Sequence, residues 1–293
     1  MQHTQGHPGM PASSHRLYTA LALVAFAANS VLCRVALRGD LIDPASFTLV
    51  RMLSGAVVLA FLAQLRDGAP WLPVDLRSVA ALFAYAAPFS YAYLRLNTGS
   101  GALLLFGAVQ VTMLMGSLLA GERLSPLGWL GWGLSVAGLL GLSWPGVSAP
   151  DPAGAMWMVL AGLAWGLYSL RGRRLARDPL RSTATTFAVS VLPSALLWGI
   201  ASSVSQPRAQ PMGLLCALAS GALASGLGYS LWYAALRSLS ASGAALLQLM
   251  VPLIAAWFGV LLLGESVSAR LVVSGLVILG GVALSVFART RTT

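Results

Sequence analysis

The sequence predicts an all-α membrane protein: ten transmembrane helices in two inverted five-helix repeats. Three observations predict it. First, only 9% of the 293 residues are charged against 57% hydrophobic, with a mean hydropathy of +0.79; a soluble domain carries about 25% charged residues. Second, the apolar residues fall into ten runs of roughly 20, the length a helix needs to cross the hydrocarbon core. Third, the last five runs repeat the lettering of the first five.

The runs cover 17–37, 44–65, 76–95, 99–119, 125–144, 153–173, 182–203, 212–235, 241–263 and 268–288, with ends good to a few residues. The breaks carry turn and charge signals such as "RGDLIDP", "RDGAPWLP", "WPGVSAPDP" and "RGRRLARDPLR". They are short, so no soluble domain is left over. Residues 1–16 read as a disordered cytoplasmic tail: polar, with no basic start feeding directly into an apolar core as in a signal peptide. Residues 17–144 and 153–288 read as the two repeats.

Charge sets the expected orientation. All 18 basic residues are Arg, and they sit mainly between the apolar runs, so the net charge of +10 reads as a topology signal and not as a nucleic-acid surface. With the N-terminus in the cytoplasm, twelve Arg fall inside and five outside, with Arg51 left within the second span. The cluster from Arg171 to Arg181 decides most of that bias. Both termini are therefore expected in the cytoplasm, and the protein in a cell inner membrane.

The repeat is an ordered one. "LLAGERLS" (118–125) and "LLLGESVS" (261–268) share five of eight letters. "SGALLLFGAV" (100–109) and "SGAALLQLMV" (242–251) share six of ten. "YAYLRLNTGSGA" aligns with "YAALRSLSASGA", and "NSVLCR" with "GLYSLR". The repeating unit is five spans. Five is odd, so the two copies enter the membrane in opposite directions, and Glu122 and Glu265 should lie on opposite faces. Inverted repeats of this kind mark transporters, with the site near the midplane between the halves.

These residues resemble the drug/metabolite transporter superfamily in its EamA-type branch. "ANSVLCRVAL" in the first span, "PASFTLVRML" in the second, "ALRSLSASGAALLQLMVPLIAA" across the eighth and ninth, and the two "GE" ends carry the resemblance. It covers about residues 17–288. More loosely, the chain is similar to the YddG-type amino-acid exporters of that branch. The resemblance implies that spans 1–4 and 6–9 enclose a central cavity, with spans 5 and 10 at the periphery.

Polar residues inside a membrane are expensive and therefore suspects for function. Asn29 (beside Ser30), Tyr85, Trp165, Tyr168, Tyr229 and Gln248 lie well inside spans and are the candidate substrate-binding residues. Amide and hydroxyl groups suit a polar or zwitterionic solute, and aromatic faces suit apolar side chains and cations. The bland reading is hydrogen bonding between helices. Arg51 is the charge well inside a span. It could receive a substrate carboxylate, or play a structural part: bonding helix-end carbonyls, snorkelling outward, or pairing with Asp40 or Asp43. Pro88, Pro193 and Pro252 sit inside spans, where each frees a carbonyl, and are candidate hinges. Gly131, Gly138, Gly275 and Gly280 read as packing residues.

Absences narrow the chemistry. The three His all lie in the N-terminal tail and the two Cys are far apart, so neither a Ser–His dyad nor a metal site is expected in the membrane. No Walker loop is present. No cofactor, metal or enzymatic activity is therefore expected. The reading is an inner-membrane secondary transporter that exports small organic solutes, amino acids or related metabolites foremost, by alternating access. A multidrug or organic-cation exporter is the alternative within the class, and a polytopic membrane enzyme the alternative outside it. A small-molecule solute and membrane lipid are the expected partners, and the chain is expected to function as a monomer.

Overall fold

The computed structural model describes residues 12–68, 71–119, 121, 125–146, 149–175, 178–236 and 241–290. Seven helices come first: α1 (Ala12–Arg38), α2 (Pro44–Asp67), α3 (Leu76–Tyr93), α4 (Thr98–Leu119), α5 (Pro126–Ser143), α6 (Pro152–Leu175) and α7 (Pro179–Val204). The eighth span is α8 (Pro211–Ala219), a π-helical segment (Ser220–Leu227) and α9 (Gly228–Leu236). The ninth is α10 (Ala241–Gln248) with α11 (Met250–Leu263), and the tenth is α12 (Ala269–Thr290).

The starts follow from local chemistry. Pro at the first turn opens α2, α5, α7 and α8, where its missing N–H costs nothing. Asp43, Ser125 and Asp178 cap the first three by accepting from a backbone N–H three residues on. Among the described residues, nine helical segments are long and apolar enough to cross a membrane. Helix α3 is the exception. Its tyrosines and serines lower its hydropathy, yet Tyr85, Ser90 and Tyr93 are buried. Helix α3 thus turns its polar side to protein, not to lipid.

The inversion is visible in what meets at each end. The start of α4 meets Glu265, whose carboxylate accepts from the Thr98 N–H at 2.8 Å. The far end of α4 packs Gly116 against Leu170, next to Arg171, which pairs with Asp75. Leu118 and Leu119 at the end of α4 therefore lie at the Asp75 end and the 261–268 segment at the Glu265 end. Glu122 itself lies outside the described residues. Gly121 and Gly264, the glycines of the doubled phrase, both take positive φ, at 90° and 62°. Only glycine adopts that conformation freely, so each ends its helix with a sharp turn.

Helix pairing obeys the same exchange. Mapping each span onto the one five places later turns the α3–α6 and α4–α6 contacts into those of α9 and α11 with α1. It maps α2–α7 and α5–α12 onto themselves. The α5–α12 seam is close enough for backbone contact. Gly131 meets the Gly281 carbonyl and Ser285, Gly138 meets Ile278, and the Ser285 hydroxyl donates across the seam to the Gly128 carbonyl at 3.1 Å. Gly280 differs from expectation: it faces open space, and its neighbour Gly281 makes the close approach.

Candidate functional site

Between the two repeats lies a chamber lined by Asn29, Tyr85 and Phe89 from the first and by Trp165, Ser225, Tyr229 and Gln248 from the second. Trp165 is its hub. Its ring stacks on Tyr229 at 5.3 Å and 20°, and meets Tyr85 at 4.7 Å. Phe26 closes on Tyr229 at 5.6 Å. These rings belong to spans 1, 3, 6 and 8, so aromatic contacts join the halves. The cavity they leave is about 30 Å3. Small-molecule sites are roughly 300–1,000 Å3. This conformation is therefore closed around its centre, and admitting a solute requires the rings to part.

A polar strand runs along the same wall. The Ser220 hydroxyl, in the π segment, donates to Asn29 Oδ1 at 2.6 Å. Asn29 Nδ2 donates to the Tyr85 hydroxyl at 3.4 Å. Arg51 Nη2 donates to the same oxygen at 2.9 Å. Arg51 is fully buried, with its guanidinium 5.1 Å from the Tyr85 ring centroid and 5.0 Å from that of Phe89. It neither snorkels nor reaches a helix-end carbonyl. Asp40 pairs instead with Arg208, and Asp43 accepts from the Ser46 and Arg208 N–H groups, because the loops holding them pair with each other through the Ile42–Ala209 bridge.

Five of the six candidate binding residues come together: Asn29, Tyr85, Trp165, Tyr229 and Gln248. Tyr168 touches Trp165 at 5.4 Å, but its hydroxyl turns to Thr183 and Thr186 of α7. Helices α3 and α7 continue unbroken through Pro88 and Pro193. The ninth span breaks at Leu249, where the Pro252 ring opposes the Gln248 carbonyl four residues back. The freed carbonyl belongs to a residue of the chamber wall. The eighth span carries a second irregularity that no proline announces. Its π segment widens where Gly221 lies against the Arg51 carbonyl and Gly226 against Val58, and it brings Ala224 and Ser225 to the chamber.

Both ends of the bundle carry ion pairs. At one end Arg34 Nε meets Glu265 Oε1 at 3.3 Å, with both side chains buried. Arg34 also donates to the Tyr93 carbonyl at 2.9 Å and to Asn97 Oδ1 at 3.1 Å. Glu265 supplies the cap of α4. At the other end Arg171 makes a bidentate pair with Asp75, Nε donating to Oδ2 at 3.0 Å and Nη2 to Oδ1 at 2.8 Å, and Arg66 pairs with Asp178. Burial pushes the Asp75 carboxyl up, but hydrogen bonds from Ser78 and Arg171 outweigh it and hold the group below the usual carboxylate range. Burial pushes Asp178 up as well, and Arg66 and the Arg181 N–H bring it below that range.

This architecture has relatives. The EamA-like transporter family matches twice, over residues 15–144 and 152–287. The chain belongs to the EamA-like transporter family. It is 52% identical over 277 residues to an uncharacterized protein of Pseudomonas aeruginosa, covering 94% of this chain and 95% of that one. It is 24% identical over 288 residues to an uncharacterized transporter of Archaeoglobus fulgidus, covering 93% and 97%. A solved crystal structure superposes with a TM-score of 0.65 over 94% of this chain and 98% of its own, at 20% identity, a likeness of fold. This EamA-like transporter is a multi-pass membrane protein, and its family points to a small-molecule solute and away from an enzyme.

Proposed function

We propose that the chain is an inner-membrane secondary transporter that exports small organic solutes, amino acids or related metabolites foremost, by alternating access. The supporting observation is the chamber between the repeats: aromatic and amide groups from both halves meet near the middle of the bundle, whose two ends carry separate ion pairs. Opening either end would expose the same chamber to one side of the membrane. The Arg bias assigns the Asp75 end to the cytoplasm. Asn29, Tyr85, Trp165, Tyr229 and Gln248 would contact the solute, with Tyr168 behind Trp165. Pro252 and the π segment are where the ninth and eighth spans would bend.

The test is counterflow in proteoliposomes holding the purified protein. Labelled solute uptake should be stimulated by unlabelled solute inside. Trp165→Ala, checked for normal membrane expression, should lose most of that exchange. A protein without solute-stimulated exchange, or a Trp165→Ala variant with wild-type kinetics across several solutes, would sink this reading.

A further inference from the structure

Among the described residues, Arg51 is a charge without a counterion. It is 0% exposed, and neither Nε nor Nη1 has a hydrogen-bond partner among the described residues. The described acidic side chains are bonded elsewhere, to other arginines or to helix starts. A guanidinium cannot shed its proton to escape burial. Two aromatic faces and one phenolic oxygen attract it but do not neutralise it. A buried cation left in that condition is costly, and in a membrane such a residue marks a ligand path.

Its place in the fold says where the missing charge would sit. Tyr85 and Phe89, the rings that cover Arg51, are themselves part of the chamber wall. The guanidinium is one ring away from the cavity. The Tyr85 oxygen already accepts from Arg51 and from Asn29. Its acceptor capacity is used, so its own proton is what it has left to give. Nε and Nη1 carry three further N–H bonds. The unused donors of this corner suit a planar anion with two oxygens, which is the group that the guanidinium fork matches.

We infer that Arg51, with Tyr85, receives the carboxylate of the transported solute. The substrate class is then molecules that carry a carboxylate, zwitterionic amino acids among them, and organic cations are excluded. This deepens the proposed function and rests on it. The aromatic rings of Trp165 and Tyr229 would take the apolar remainder of the solute, while the fixed positive charge repels a bare ammonium.

The experiment compares two pools in the same proteoliposomes: the proteinogenic amino acids, and the amines left by their decarboxylation. Each pool, loaded inside, is tested for its ability to drive counterflow of a labelled sample of itself. Wild type should prefer the acid pool by about 100-fold or more, as sites built to bond a polar group reject analogues lacking it. Arg51→Lys should keep that preference and Arg51→Gln should lose it. Because Arg51→Gln can fail to fold, thermal unfolding of wild type and Arg51→Lys in detergent provides a second readout: the acid pool should raise the melting temperature and the amine pool should not. Equal exchange of both pools by wild type would overturn the carboxylate inference while leaving the transporter reading intact. Exchange of neither pool would overturn both. An Arg51→Gln protein that folds and still rejects the amines would return Arg51 to a structural part.

Discussion

The two ends of the bundle carry the same chemistry in different surroundings. At the Glu265 end, one arginine and one glutamate are nearly dry, and Arg34 reaches a carboxylate, a backbone carbonyl and an amide oxygen at once. At the Asp75 end, Arg171 and Asp75 are each about a third exposed, at 30% and 32%. Solvent screens the second pair and not the first. A buried pair is held in place by the cost of leaving either member alone, whereas an exposed pair parts easily because water replaces the partner. Arg34 and Arg171 also occupy matching positions in the two repeats. Matching arginines thus make a dry lock at one end and a wet latch at the other, and under the proposed alternating access the Asp75 end is the one expected to open with less work.

The largest effect is expected from stranding Arg34. Glu265→Ala leaves a buried cation unpaired and uncaps α4, and should cost about 3–5 kcal/mol, read as thermal unfolding in detergent. The exchange Arg34→Glu with Glu265→Arg should recover part of that loss, since it restores a pair without restoring every hydrogen bond. A Glu265→Ala protein that melts like wild type would show that the lock is not one. The matching change at the wet end, Asp75→Asn, should cost no more than about 1 kcal/mol. Its effect should appear in exchange instead, as faster opening.

A pH series sharpens the same contrast. Asp75 has a folded pKa below its ordinary value of 3.8. Its contribution to stability is therefore fully present above that value and is lost as the pH falls through the lower, folded one. The melting-temperature gap between wild type and Asp75→Asn should stay constant from pH 8 to pH 5, and should narrow only below 3.8. A gap that closes near neutral pH would mean that Asp75 is not held by Arg171. The smallest effect is expected from Pro252→Ala. Helix α4 is continuous where its repeat counterpart is broken at Leu249. Restoring the N–H should straighten the ninth span and slow exchange several-fold while leaving the melting temperature close to that of wild type.

Much of this was legible in the sequence, for reasons that also mark the limits. The spans were legible because long apolar runs have few other uses. The repeat was legible because Tyr, Arg, Ser-Gly and Gly-Glu recur in order. Asn29, Tyr85, Trp165, Tyr229 and Gln248 stood out as polar or aromatic groups inside spans, and they meet. Phe26 and Phe89 did not, because a phenylalanine facing the chamber is written like one facing lipid. The Arg34–Glu265 lock joins residues 231 apart. Each end of it read as a topology charge or a helix end, although Glu265 is one of only eight acids. The π segment had no proline to announce it. Its signal was the run of small residues "SGALASG", which permits the close approach of α2.

The seam between α5 and α12 bears on how the molecule is made. The most extensive helix contacts all cross from one half to the other, and this seam is the largest of them. Ribosomes deliver the first five spans well before the last. Until residues 269–290 arrive, Gly131, Ser135 and Gly138 have only lipid to face, and the groove made for another backbone stands open. The α5–α12 seam can then form only once α12 has been inserted, against a span inserted long before. A nascent chain arrested or truncated ahead of α12 would expose that groove to the machinery that culls unfinished membrane proteins. Two separately translated halves, divided between 146 and 149, would each need the other in the same bilayer to survive.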